Sequence, residues 1–284
     1  MIIFKKTDDI LAFILKKKAA SKSIGFVPTM GALHAGHTSL IAKSKIENDL
    51  SVVSIFVNPT QFNNAKDFEK YPKTISDDID KLEAASCDIL FLPSVAEVYP
   101  DPNHRPVFDI GELAITLEGR YRPGHFQGVC QVVHRLLEIV NPDNLYLGQK
   151  DFQQCLVIKK MIETEGLPVK VHIAQTMREK DGLAMSSRNL RLTTEQRDAA
   201  NTIFEVLQWV RDEVRPGDLM LVKVQASIFL TKHNFKVDYL EIADPHDLTV
   251  MHRWDGKQSY VILTAAYLGE IRLIDNLLVE ANTD

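Results

Sequence analysis

Two histidines, His34 and His37, sit beside Gly31 and Gly36 in the stretch PTMGALHAGHTSL at 28–40. Residues 24–27 form a short apolar run before it. After it, Leu40, Ile41 and Ser44 alternate with Lys43, Lys45 and Glu47 as the two faces of a helix would. The histidines therefore belong to a strand-to-helix turn and the first helical turn, where free backbone N–H groups gather and anions are held most easily. GALHAGHT differs from the P-loop pattern G-x-x-x-x-G-K-[ST] by a histidine in place of the lysine, which excludes a standard P-loop NTPase. The physics is related nonetheless. The glycines let a ligand approach the backbone, imidazoles three residues apart share one side of a helix, and their N–H groups can stabilise rearranging phosphate charge. A glycine turn with surface histidines is the plain alternative, and a zinc pair would lack further ligands at suitable spacing.

Five more clusters carry usable chemistry. In FVNPTQF, Pro59 ends a strand, so Asn58 and Gln61 fall in a loop as two neutral amides, with Phe62 as an apolar wall. They suit a small polar acid, or merely end the strand. In GQKDFQQ, Gly148 permits close approach, Lys150 offers phosphate-neutralising charge, Gln154 faces the same mouth, and Asp151 orients Lys150 or caps the helix. In MSSRN, Ser186, Ser187 and Arg188 make a compact anion clamp after Met185, with Arg178 and Lys180 nearby. Asp77 and Asp78 either hold Mg2+ or complement a helix N-terminus. The loop YRPGHF at 121–126 reads as a gate feeding a long helix, or as an ordinary surface loop. His134 and His172, on apolar elements, read as structural.

These clusters need a scaffold. Strand-like segments at 24–27, 51–57, 88–92, 144–147 and 169–175 alternate with helical ones at 37–48, 74–85, 126–140 and 152–165. Such alternation predicts a Rossmann-like, doubly wound parallel sheet, with ligands outside the carboxyl ends of its strands. After about residue 175 the rhythm changes to helices at 193–214 and 219–231 and strands at 236–243, 259–266 and 271–276. We expect a nucleotide-binding domain over 1–176 and a smaller α+β lid domain over 177–284.

The chain has 284 residues, 45% hydrophobic, with a net charge of −5. It lacks the basic field of a nucleic-acid binder. The three cysteines, Cys87, Cys130 and Cys155, are too widely spaced for a disulfide framework and read as reduced core thiols. Asp8, Asp9 and Lys16, Lys17 and Lys18 interrupt the N-terminal apolar residues, so we expect neither signal peptide nor membrane span, and a cytoplasmic protein. The absence of G-x-G-x-x-G, G-x-S-x-G and H-E-x-x-H removes the usual signals for dinucleotide binding, serine hydrolysis and zinc proteolysis.

In this order, PTMGALHAGH, FVNPTQF, YPKTISDD, RPGHF, GQKDFQQ and MSSRN closely resemble the pantoate–β-alanine ligase family, within the nucleotidylyltransferase superfamily. The resemblance spans 28–189. It implies that ATP and pantoate form pantoyl adenylate and pyrophosphate, and that β-alanine then displaces AMP to give pantothenate. It implies ATP contacts for Met30, His34, His37, Gly148, Lys150, Asp151, Met185, Ser186, Ser187 and Arg188, with the two histidines, Lys150, Ser186, Ser187 and Arg188 meeting phosphates and Gly148 and Asp151 meeting the nucleoside part. It puts pantoate on Gln61 and Gln154, with Asn58 near the carboxyl group or β-alanine, and Mg2+ on Asp77 and Asp78. Lys81 stands where the family can have a neutral glutamine, which puts the metal site in question. Tyr71, Arg122 and His125 are implied at the pocket rim, and a homodimer as the assembly. Two other readings stay open: a nucleotidylyltransferase that leaves AMP on its product, and a nucleotide-binding regulator without turnover. The amide-rich loops favour the ligase, and product analysis separates the three.

Overall fold

The computed structural model describes residues 1–63, 65–101, 103 and 105–281. Strands β1 (Ile2–Phe4), β2 (Ile24–Thr29), β3 (Leu50–Ile55), β4 (Ile89–Phe91), β5 (Asn144–Gly148) and β6 (Lys170–Ala174) form one sheet in the order β1-β4-β3-β2-β5-β6. Every neighbouring pair is parallel. From β2 the chain winds outward through β3 and β4, then returns to add β5 and β6 on the other side of β2. The doubly wound expectation holds, and the winding reverses between β2 and β5. In such sheets that reversal opens a crevice for ligands.

The buried β-branched run of β3 fits a strand covered on both faces. The apolar strip of the helix His125–Val140 packs into the same core. Gly128 lets this helix press against the neighbouring loop: a Cβ there would lie 2.5 Å from the Thr60 carbonyl oxygen. The N-terminal reading missed β1 and the helix Thr7–Ala19. The charges that interrupt the apolar residues there complement the helix dipole, Asp8 and Asp9 in its first turn and the three lysines in its last. Ile10 and Ile14 face inward and are fully buried.

Beyond β6, the helical run expected over 193–214 is two helices, Thr194–Ala200 and Thr202–Glu213, separated at Asn201. Strands β7 (Gly217–Asp218) and β9 (Arg253–Trp254) pair with each other. Strands β8 (Phe235–Ala243), β10 (Tyr260–Leu268) and β11 (Ile271–Val279) make an antiparallel sheet in the order β11-β10-β8. Alternation along its strands divides the side chains. Leu240, Ile242, Ile262 and Ala266 join the helices Thr202–Glu213 and Met220–Lys232. Tyr239, Val261, Leu263 and Ala265 join the apolar core that contains Leu113, Phe126 and Leu147. Each fully buried Val or Leu contributes about 1.5–3 kcal/mol, so apolar contact across this junction is substantial. Polar contacts fix its register. Arg272 reaches both oxygens of Glu118 at 2.8 and 2.9 Å and Asp238 at 2.7 Å. Burial opposes ionisation of Glu118, but the bonds and charge of Arg272 overcome it and hold the carboxyl below its ordinary value.

Candidate active site

A cavity opens at the carboxyl ends of β2 and β5, at the reversal point. It is lined by Met30, His34, His37, Asn58, Gln61, Tyr71, Gly148, Lys150, Asp151, Gln154 and the 185–188 segment. Thus residues from four separate sequence clusters meet in one place.

On the β2 side, Gly31 takes φ +82° and Ala32 φ +50°, turning the chain sharply before the helix Ala35–Glu47. His34 caps that helix. Its Nδ1 accepts from the Gly36 N–H at 3.2 Å, and His37 Nδ1 accepts from the His34 N–H at 3.3 Å. Since both Nδ1 atoms accept, each neutral ring carries its proton on Nε2. The rings lie 4.0 Å apart between centroids. His34 is pushed down to about 3 by burial, then by His37 and Lys150. His37 is pushed down to about 4 by burial, then by Lys150 and Lys81. Near neutral pH the turn thus presents two neutral donors beside the Lys150 cation, an arrangement that an incoming polyanion would stabilise.

On the β5 side, Gly148 borders the cavity and a Cβ there would meet nothing. Asp151 makes no capping hydrogen bond to the helix Phe152–Thr164 and lines the cavity. Gln153 and Gln154 divide their work. Gln153 is buried, bonding the Glu118 N–H and the Leu113 and Thr116 carbonyls, whereas Gln154 lines the cavity. The carbonyls of Gln149 and Lys150 each accept from Asn276 Nδ2 on β11 at 3.0 Å. Asn276 is a residue the sequence reading missed. The signal was present as Asp275-Asn276, two adjacent polar residues in a mostly apolar strand that also carries Arg272.

Several expected roles change. Asn58 is 1% exposed, and its Oδ1 accepts from Thr60 N, Thr60 Oγ1 and Tyr99 OH. Its Nδ2 donates to the Gly128 carbonyl and to Gln61 Oε1. It therefore sets the position of Gln61 rather than offering a free amide. Gln61 also donates to Met30 Sδ at 3.0 Å. His125 is buried, not at the rim, and donates from Nδ1 to the Gln61 carbonyl at 2.8 Å. Phe62 does not line the cavity. It packs edge-on against Phe68 and Tyr71, and the apolar wall comes instead from Phe56 and from Val129, Val132 and Val133.

In the MSSR segment, Ser187 lines the cavity and its hydroxyl donates to the Ala32 carbonyl at 3.0 Å. The Ser186 hydroxyl accepts from the Arg188 N–H, and the Arg188 guanidinium pairs with Asp67 at 2.8 Å. Arg178 belongs to no anion clamp, because it pairs with buried Asp275 at 2.6 and 3.0 Å. The segment Gln175, Thr176 and Met177 also lines the cavity, and Thr176 Oγ1 is buried without a partner. Sequence reading passed over it as a domain boundary.

Asp77 and Asp78 do not make a metal pair. Asp78 is wholly buried, with both oxygens accepting backbone N–H groups, while Asp77 is exposed. Among the described residues no cluster of three His, Cys, Asp or Glu side chains could hold a metal ion. The residues expected to bind Mg2+ do not fit it. His172 stacks on Tyr146 and bonds Asn144, as a structural histidine does. The three cysteines are buried and free.

The family model for pantoate–β-alanine ligase matches residues 2–278. The chain belongs to this family. A pantothenate synthetase of Porphyromonas gingivalis is 45% identical over 99% of this chain and 100% of its own. The crystal structure of pantothenate synthetase from Thermus thermophilus aligns with a TM-score of 0.91 at 38% identity, over 99% of this chain and 100% of that one. A pantoate–β-alanine ligase from Francisella tularensis, in complex with beta-gamma ATP and β-alanine, aligns with a TM-score of 0.83 at 38% identity, over 98% of this chain and 97% of that one. The family likeness covers the antiparallel C-terminal sheet as well as the motifs before residue 190.

Proposed function

We propose that the chain is an AMP-forming carbon–nitrogen ligase that joins pantoate and β-alanine at the expense of ATP. The observation that carries this reading is the convergence of His34, His37, Lys150 and Arg188 with Gln61 and Gln154 in a single cavity. Phosphate-handling and hydroxy-acid-handling groups then face the same space.

In the first step a pantoate carboxylate oxygen attacks the α-phosphorus of ATP. A new P–O bond forms, the bond to the β-phosphate oxygen breaks, and pyrophosphate leaves. The Nε2–H donors of His34 and His37, with Lys150, sit where they can take up the charge that moves onto the phosphate oxygens. Ser186 and Arg188 are assigned to the outer phosphates. The ion pair of Arg188 with Asp67 must then exchange for phosphate, a like-for-like swap of anions. Gly148, Asp151 and Met185 are assigned to the nucleotide, as is Met30. Gln61 and Gln154 are assigned to pantoate, and the valines of the helix His125–Val140 to its gem-dimethyl group. In the second step the β-alanine amine attacks the acyl carbon, AMP departs and the amine loses a proton. Buried amides left unpaired would penalise acids that lack the hydroxyls.

We assign magnesium to the phosphates of ATP itself, since no described protein cage fits it. The cytoplasm as location is supported by three unpaired thiols, which suit a reducing compartment. No helix among the described residues is long and apolar enough to cross a membrane. The homodimer rests on the family resemblance. The division at residue 176, with the second part covering the site, is supported by the separate antiparallel sheet.

Product analysis tests the reaction. Equimolar AMP and pantothenate, formed only when pantoate, β-alanine and ATP are all present, is the expected outcome. AMP retained on the organic product would identify a nucleotidylyltransferase instead.

A further inference from the structure

We infer that Asp78, with Lys81 on the same helix, is a positioning residue that fixes the backbone of the histidine turn and takes no part in holding metal. The inference rests on reading the cavity as an ATP site. Asp78 Oδ2 accepts from the Ala32 N–H at 2.9 Å and Oδ1 from the Leu33 N–H at 2.7 Å. The Leu33 carbonyl accepts from Lys81 Nζ at 2.9 Å. Residues 78 and 81 lie three apart on the helix Ile75–Ala84, so they reach the turn from one face.

The turn needs this support. Ala32 has a left-handed φ of +50°, which a residue with a Cβ keeps only when its surroundings impose it. Its N–H is held by Asp78 and its carbonyl by Ser187. His34 follows at once, so the placement of both imidazoles descends from those bonds. Only a carboxylate at 78 satisfies two backbone donors, because an amide would set an N–H against one of them. With 0% of Asp78 exposed, a hydrated cation has no route to it.

The test is calorimetric titration of the full-length protein with ATP, once in EDTA and once in Mg2+, joined to adenylation rates at saturating ATP. Measurements are made where circular dichroism finds each variant folded. For Asp78→Asn, ATP affinity is expected to fall about tenfold or more in EDTA and by a similar factor in Mg2+, with a lower rate at saturation. The Mg2+ concentration for half-maximal rate stays at the wild-type value. Lys81→Met, which alters an exposed side chain and keeps the experiment decisive should Asp78→Asn not fold, gives the same pattern at about threefold. Wild-type affinity in EDTA with loss confined to Mg2+, in either variant, overturns the inference in favour of a metal ligand. No loss in either medium for Lys81→Met also overturns its part. Failure of the wild-type chain to bind ATP at all would instead remove the ATP-site reading, and the inference with it.

Discussion

The two rims of the cavity are held in different ways. On the β2 side, the turn carrying His34 and His37 is braced by Asp78 and Lys81, from a helix of the same sheet region, and by Ser187. On the β5 side, the loop carrying Lys150 is braced from Asn276, 126 residues away on β11 of the other sheet. The first rim is braced by residues that precede the C-terminal sheet, Asp78 and Lys81 46 and 48 residues from their partners and Ser187 155 residues from its own. The second takes its final shape only when the C-terminal sheet packs against the core through Tyr239, Val261 and Leu263. The C-terminal sheet therefore braces the β5 rim, where the sequence reading assigned no site residue beyond Arg188.

The sharpest way to break this contrast is to remove the cation of the β5 rim. Lys150→Ala is expected to lower the adenylation rate about 100-fold or more, as loss of an electrostatic stabiliser does. A folded variant near wild-type rate, in single-turnover measurements, would deny Lys150 its role. The support behind it comes next. Asn276→Leu leaves two carbonyls without their donor and should lower kcat/KM about tenfold with Lys150 still present. If its effect were no larger than that of an unrelated surface variant, the C-terminal sheet would be packing alone. Gln61→Ala tests the pantoate wall shared by both rims. KM for pantoate should rise about tenfold while ATP affinity changes less than about twofold. Equal losses for both ligands in calorimetry would break that division of roles.

Acid stability sharpens the picture of the buried donors. His125 is pushed down to about 3 from 6.5, first by burial and then by Arg122. The unfolded chain therefore binds a proton that the folded chain refuses. This contribution is fully present above pH about 6.5 and is lost as pH falls toward about 3, at about 1.4 kcal/mol per pH unit. Urea unfolding at pH 7 and pH 5 should show a smaller drop for His125→Gln, whose amide can still donate to the Gln61 carbonyl. An unchanged drop would mean that His125 titrates normally. The smallest effect is expected from Phe62→Ala. Because Phe62 lies outside the cavity, KM for pantoate should stay within about threefold. A large rise would return it to the wall.

What could be read from sequence follows the same contrast. The parallel sheet was legible because SVVSIFV and its neighbours carry their burial in composition, and the β2 turn because its glycines and histidines are adjacent. Side-chain direction was not legible. Asp77 and Asp78 differ by about 100° around a helix, so Asp78 faces inward while Asp77 is exposed, and Ser186 and Ser187 both line the cavity with hydroxyls that bond different partners. Chemistry alone made each pair look like one site. Asn58 shows the same limit, since an amide suited to substrate equally suits Gly128 and Tyr99 when these are close. Asn276 was hidden for a different reason. Its partners are distant in sequence, and only its polarity within β11 marked it.

Pyrophosphate–ATP isotope exchange, with Mg2+ and with or without pantoate but no β-alanine, tests the central claim most directly. Exchange that requires pantoate is the expected result and would establish that the two rims together form an acyl adenylate. Folded protein that binds ATP yet exchanges no label in the presence of pantoate would contradict it.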